Sequence, residues 1–169
     1  MTETGRYDPF AALRTLQRHG VRFVVIGGVA GRLWGSPTMT NDLDICPARD
    51  RDNLKALAAA LVELGARLRG VDEPMAFRPD PETLRRGQNF TFITTAGALD
   101  VLGMPAGVNG FRELVANAQE FDLGERLVVA VCSLDDLIRM KQAAGRPKDR
   151  IEAEVLAAVR EEGPTRNRR

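Results

Sequence analysis

Histidine is almost missing from this sequence, with His19 the only one. That excludes a zinc site built on several histidines, an iron site of histidines and a carboxylate, and an H-E-x-x-H protease. Cysteine is nearly as scarce. Cys46 and Cys132 stand far apart among apolar neighbours, which leaves no disulfide framework and no C-x-x-C motif. Buried, reduced thiols are the expectation for both. Net charge is missing too. Lys plus Arg number 24 and Asp plus Glu 23, a formal charge of +1 over 169 residues. Bulk electrostatics thus predict neither a nucleic-acid nor a membrane partner and leave room only for a local patch. No apolar run approaches the ~18 residues of a membrane span. The start, Met1-Thr2-Glu3-Thr4-Gly5-Arg6, is polar and carries an acid, so no signal peptide is expected and the cytoplasm is the expected location.

What is present suits one domain. Hydrophobic residues make up 44% and charged residues 28%, enough to bury a core. Asp8 caps a helix from Pro9 to His19, with Phe10, Leu13 and Leu16 on one face. A β-rich run, Val21 to Ile26, ends at Gly27-Gly28 and is followed by a short helix, Val29 to Trp34. Asp42 to Cys46 reads as a strand and Asn53 to Leu64 as a helix. Gly70 to Gly87 is polar and proline-bearing and reads as a long loop. Strands follow at Asn89 to Thr94 and Ala98 to Leu102, then a helix at Phe111 to Ala118 and a strand at Arg126 to Val131. Ser133 caps a helix with Leu134, Leu137, Ile138 and Met140 on its apolar side. A last helix runs from about Lys148 to Arg160, with Ile151, Val155, Leu156 and Val159 facing inward. The order predicts an α/β (α+β) fold with a small mixed sheet flanked by helices. Three parts are expected: a core over 1–132, a helical C-terminal part over 133–163 packed on it, and a frayed basic tail over 164–169.

Chemistry concentrates in one constellation. Gly27-Gly28 is followed, thirteen residues later, by Asp42-Leu43-Asp44-Ile45. Side chains alternate along a strand, so Asp42 and Asp44 share a face while Leu43 and Ile45 enter the core. Two such carboxylates repel each other, and a divalent cation relieves that repulsion. Oxygen-only ligands suit magnesium, or manganese. Asp100 stands in Ala98-Leu99-Asp100-Val101-Leu102, a strand otherwise fit for burial. A third carboxylate there would complete a site able to clamp the oxygens of a phosphoryl-type displacement. Gly27-Gly28 supplies the other half, because glycines before a helix let backbone N–H groups approach an anion closely.

These residues carry a resemblance. Gly27-Gly28, Asp42-x-Asp44 and Asp100, together with Asp136-Leu137-Ile138-Arg139-Met140-Lys141 through Gly145-Arg146-Pro147-Lys148-Asp149, resemble the DNA polymerase β-type nucleotidyltransferase superfamily. The nearer likeness is to its AbiEii/MenT-type branch, which contains toxins of toxin–antitoxin pairs. The resemblance spans roughly Phe23 to Leu156. It implies a nucleotidyltransferase core with a helical C-terminal part closing over a nucleoside triphosphate. It implies Mg²⁺ held by Asp42 and Asp44, with Asp100 completing the metal site and helping to deprotonate the acceptor. Lys141 resembles the family's triphosphate-contacting lysine, and Asp149 matches a family acid near the cleft. Gly27, Gly28, Lys141, Arg146 and Asp149 would then surround the nucleotide. Two departures stand out. Many members have Gly-Ser where this chain has Gly27-Gly28, and relatives often carry a basic residue where it has Thr38. Phosphate contacts are therefore expected from Arg32, Lys141 or Arg146.

The resemblance implies transfer of a nucleoside monophosphate to the tRNA 3′ end, with an antitoxin protein as partner. Arg85-Arg86, Arg146, Lys148 and Arg150 would meet the RNA backbone. A second reading is transfer to a small molecule of aminoglycoside type or to a protein, with Asp72-Glu73 as a hint of an acidic recognition loop. A third is a nucleotide-binding regulatory module without activity. Trp34 is expected in the core and His19 at a helix end.

Overall fold

The computed structural model describes residues 6–71 and 77–163. Asp72-Glu73 and the basic tail lie outside the described residues. The chain runs α1 (Pro9–Arg18), β1 (Phe23–Ile26), α2 (Gly27–Trp34), β2 (Asp42–Pro47), α3 (Arg51–Glu63), β3 (Arg67–Leu68) and α4 (Pro81–Arg86). It continues through β4 (Asn89–Thr94), β5 (Gly97–Leu102), α5 (Phe111–Asn117), β6 (Gln119–Asp122), β7 (Val128–Val131), α6 (Leu134–Ala144) and α7 (Pro147–Glu162).

Local chemistry sets most helix ends. Asp8, Asp50, Asp80 and Ser133 each cap a helix by accepting a backbone N–H three residues on. Proline opens α1, α4 and α7. Gly145, at φ +69°, closes α6 in a left-handed turn that a side chain would disfavour.

The seven strands form one mixed sheet in the order β3-β4-β5-β2-β1-β7-β6. β1 pairs antiparallel with β2, and β2 pairs parallel with β5. The core lies where Leu43, Ile45, Leu99 and Val101 meet α1 and α3 residues such as Leu13, Leu16, Leu57 and Leu61. α6 packs against both α7 and α2. No helix among the described residues is long and apolar enough to cross a membrane.

Several sequence expectations need correction. The long loop from Gly70 to Gly87 contains α4, which Asp80 and Pro81 nucleate. Strands β3 and β6 were not expected; both lie at sheet edges, where short polar strands lack an apolar signal. Gly27 and Gly28 do not precede α2 but open it. Phe10 is 41% exposed, and α1 instead buries Ala12, Leu13, Thr15 and Leu16. Ile151 is 65% exposed, while α7 turns Asp149, Glu152, Ala153 and Leu156 inward. Hydrophobic spacing misread that face because two of its inward residues are acids: Asp149 pairs with Lys141 and Arg146, and Glu152 accepts from Ser36 and Thr38.

Candidate active site

Asp42 and Asp44 sit in β2 and Asp100 in β5, the strand beside it. The parallel register sets Asp44 directly against Asp100, with Leu43 against Leu99 and Ile45 against Val101. Alternation then sends the two leucines, the isoleucine and the valine into the core and the carboxylates to the opposite face. Carboxylate oxygens of Asp42, Asp44 and Asp100 lie within 4.8 Å of one another.

Crowding three acids has an electrostatic cost. Burial, then the charges of Asp42 and Asp100, push the Asp44 carboxyl up to about 7, against an opposing pull from Lys141. Asp100 is raised as well, chiefly by burial, although the Arg69 guanidinium opposes it. Arg69 Nη2 donates to Asp100 Oδ1 at 3.0 Å. Asp44 therefore takes up a proton far more readily than an ordinary aspartate. A hard, oxygen-only donor set of this kind fits a divalent cation such as magnesium.

The start of α2 presses on the acids. Gly27 has φ +67°, and a Cβ there would lie 1.9 Å from Asp44 Oδ2. A Cβ on Gly28 would lie 2.6 Å from Thr40 Oγ1. Only glycine at both positions allows the first turn of α2 to approach β2 this closely. No side chain caps that turn, which leaves its N–H groups to an anion.

Basic groups arrive from α6 and α7. Asp149, 1% exposed, accepts from Arg146 Nε at 2.6 Å and lies 3.6 Å from Lys141 Nζ. Burial works against the Asp149 charge, yet the Arg146 hydrogen bond and the two cations hold its carboxyl below the usual range. Arg146 is raised first by Asp149, then also by Asp42 and Asp44. Lys141 and Arg146 thus act on the carboxylate cluster. Arg32 instead donates to the Pro37 carbonyl at 3.1 Å.

Sequence reading missed four neighbours of the site. Tyr7, the only tyrosine, donates to the Asp42 carbonyl at 3.1 Å. Burial, then Asp42 and Asp44, push its phenol up to about 12. Arg69 braces Asp100, Thr40 Oγ1 lies 3.2 Å from Asp42 Oδ1, and Glu152 grips the segment before β2. Other expectations hold. Trp34 is buried and donates to the Cys132 carbonyl, and His19 caps α1 and meets Glu63. Both cysteines are buried free thiols, and burial raises both pKa values.

No protein-family model and no curated protein matches this chain. Solved structures do. One is the lincosamide antibiotic adenylyltransferase LnuA, bound to lincomycin, with a TM-score of 0.60 at 14% identity. The match covers 89% of this chain and 95% of that one. Another is the antibiotic-resistance factor ANT(2'')-Ia, with a TM-score of 0.53 at 16% identity, covering 91% of this chain and 88% of that one. The chain therefore has the nucleotidyltransferase fold that the polymerase β-type resemblance implies.

Proposed function

We propose that the protein is a nucleotidyltransferase that moves a nucleoside monophosphate from an NTP to an acceptor hydroxyl, with release of pyrophosphate. The observation that carries this reading is the convergence of Asp42, Asp44 and Asp100 beside the uncapped start of α2 in a nucleotidyltransferase fold. Asp42, Asp44 and Asp100 would hold Mg²⁺, which when bound supplies charge neutralisation for the phosphates. The first turn of α2, opened by Gly27 and Gly28, receives phosphate oxygens through its N–H groups. Lys141 and Arg146, steadied by Asp149, place positive charge beside the triphosphate. The acceptor oxygen forms its bond to the α-phosphorus as the bond to pyrophosphate breaks, and Asp100 receives the hydroxyl proton. Positioning and charge complementarity account for most of the acceleration.

The acceptor we favour is the tRNA 3′ end, which would make this a toxin-like enzyme partnered by an antitoxin. Arg146, Lys148 and Arg150 are exposed along the start of α7 and support it. Arg85 and Arg86 support it less, because Glu82 engages both. A small-molecule acceptor is the second reading. It is favoured by the match to a lincomycin-bound adenylyltransferase over nearly its whole length. Four labelled NTPs, Mg²⁺ and either total tRNA or a panel of lincosamides and aminoglycosides decide between them, with Asp44→Asn as control. Label on RNA supports the first reading and label on an antibiotic the second. Pyrophosphate release from neither mixture, nor with a protein acceptor, overturns the transferase assignment.

A further inference from the structure

A buried acid lies outside the carboxylate cluster. Glu152, on the inward face of α7, is 7% exposed. Its partners among the described residues are two hydroxyls: Ser36 Oγ donates to Oε1 at 2.8 Å, and Thr38 Oγ1 donates to Oε2. Buried carboxylates are costly, and one held by neutral donors alone has no ion pair to offset its desolvation.

Its position suggests a use. Ser36 and Thr38 belong to the segment joining α2 to β2. Near the end of that segment stands Thr40, whose hydroxyl lies 3.2 Å from both the backbone carbonyl and Oδ1 of Asp42. Thr40 also fills the space beside Gly28, where a Cβ would meet its hydroxyl at 2.6 Å. Inside the segment, the Thr38 backbone N–H donates to Ser36 Oγ at 3.2 Å. A Cβ on Gly31, in α2, would lie 3.2 Å from Glu152 Oε1, so the helix itself also closes on this acid. One turn of α7 thus carries two buried acids: Asp149 toward Lys141 and Arg146, Glu152 toward the segment that leads into Asp42.

We infer that Glu152 is a positioning residue that fixes the α2–β2 segment, so that Thr40 holds the Asp42 carboxylate in place for a divalent cation. The role given to Asp42 rests on the nucleotidyl-transfer reading. Glu152 touches no reacting group, and its effect reaches the cation through Thr38, Thr40 and Asp42.

The test is Mn²⁺ binding to the full chain, read by electron paramagnetic resonance without nucleotide, for wild type, Glu152→Ala, Glu152→Gln and Thr38→Val. Thermal melts establish that each variant folds. Glu152→Ala is expected to weaken Mn²⁺ binding about tenfold, the low end for groups behind a metal ligand. Glu152→Gln keeps an acceptor oxygen for Ser36 and is expected to recover most of the loss. Where transfer is measurable, Glu152→Ala lowers kcat at sub-saturating metal while KM for the NTP changes little. A folded Glu152→Ala with wild-type affinity overturns the proposal, as does a Gln variant as weak as Ala. If Glu152→Ala does not fold, Thr38→Val decides: weakened Mn²⁺ binding sustains the proposal and unchanged binding overturns it. Weakened Mn²⁺ binding in a protein that transfers nucleotide to no acceptor removes the transferase reading and leaves Glu152 its role. A wild-type chain that binds no Mn²⁺ overturns both.

Discussion

Gly27 and Asp44 stand so close that no residue with a side chain fits between them: a Cβ on Gly27 would lie 1.9 Å from Asp44 Oδ2. Gly27→Ala is therefore expected to displace the Asp44 carboxylate and to place alanine at a left-handed φ, at a cost of about 1–2 kcal/mol. Thermal denaturation should show the lowered Tm, and Mn²⁺ titration a loss of cation affinity larger than the stability change explains. Wild-type affinity in Gly27→Ala would refute this contact as the reason for glycine.

Asp44 also sets a pH dependence. Its carboxyl titrates near 7 in the folded protein, against 3.8 for an ordinary aspartate. The folded state then binds a proton that the unfolded state releases, so stability falls as pH rises from about 4 through 7. Asp44→Asn removes that effect. Without divalent cations it is expected to raise Tm at pH 8, by roughly 2–4 °C per kcal/mol of relieved repulsion, and to leave Tm nearly unchanged at pH 4. The same variant should show no transfer activity. A Tm gain equal at both pH values would show that repulsion is not the cause.

Arg69 occupies the charge of Asp100 at 3.0 Å and is itself 38% exposed in its side chain. A cation entering the cluster competes with it. Arg69→Ala is expected to tighten Mn²⁺ binding about two- to fivefold, in keeping with the modest worth of a partly exposed pair. Isothermal titration of both proteins checks this, and weaker binding in the variant would show that Arg69 organises Asp100 instead.

Asp149 ties α7 to α6 through Lys141 and also holds Arg146 at the start of its own helix. Asp149→Asn leaves Lys141 partly buried without its partner, a loss of about 1–3 kcal/mol. Lys141→Met removes the cation but leaves Asp149 its Arg146 hydrogen bond. The two variants should separate: Asp149→Asn lowers Tm more, and Lys141→Met raises KM for the NTP more. Equal effects on KM would argue that Lys141 acts only through the ion pair.

Much of this was legible in the residues. Alternation along Asp42-Leu43-Asp44-Ile45 dictated which side chains turned inward, and the Asp8 and Ser133 caps located α1 and α6. The pairing partner of β2 was not legible. Asp44 meets Asp100 because β2 and β5 run parallel, and that register comes from packing between segments far apart in the chain. Glu152 escaped for a related reason. Read by hydrophobic spacing, α7 faces inward at Ile151, but hydroxyls from a distant loop make an acid the better buried neighbour. Arg69 and Tyr7 reach the site from chain segments that no local pattern ties to it.

The sheet register has a consequence for how the chain reaches its native state. Pairing β2 with β5 sets two carboxyl groups directly opposite, and where both are ionised their repulsion opposes the very contact that closes the middle of the sheet. The cluster does not exist in the unfolded chain, so a cation that binds it binds the folded state alone and pulls the folding equilibrium forward. Parallel pairing across so long a crossover is also a slow event. The appearance of cation affinity during refolding would then time the moment at which the two halves of the sheet join, and a bound ion would double as a folding ligand.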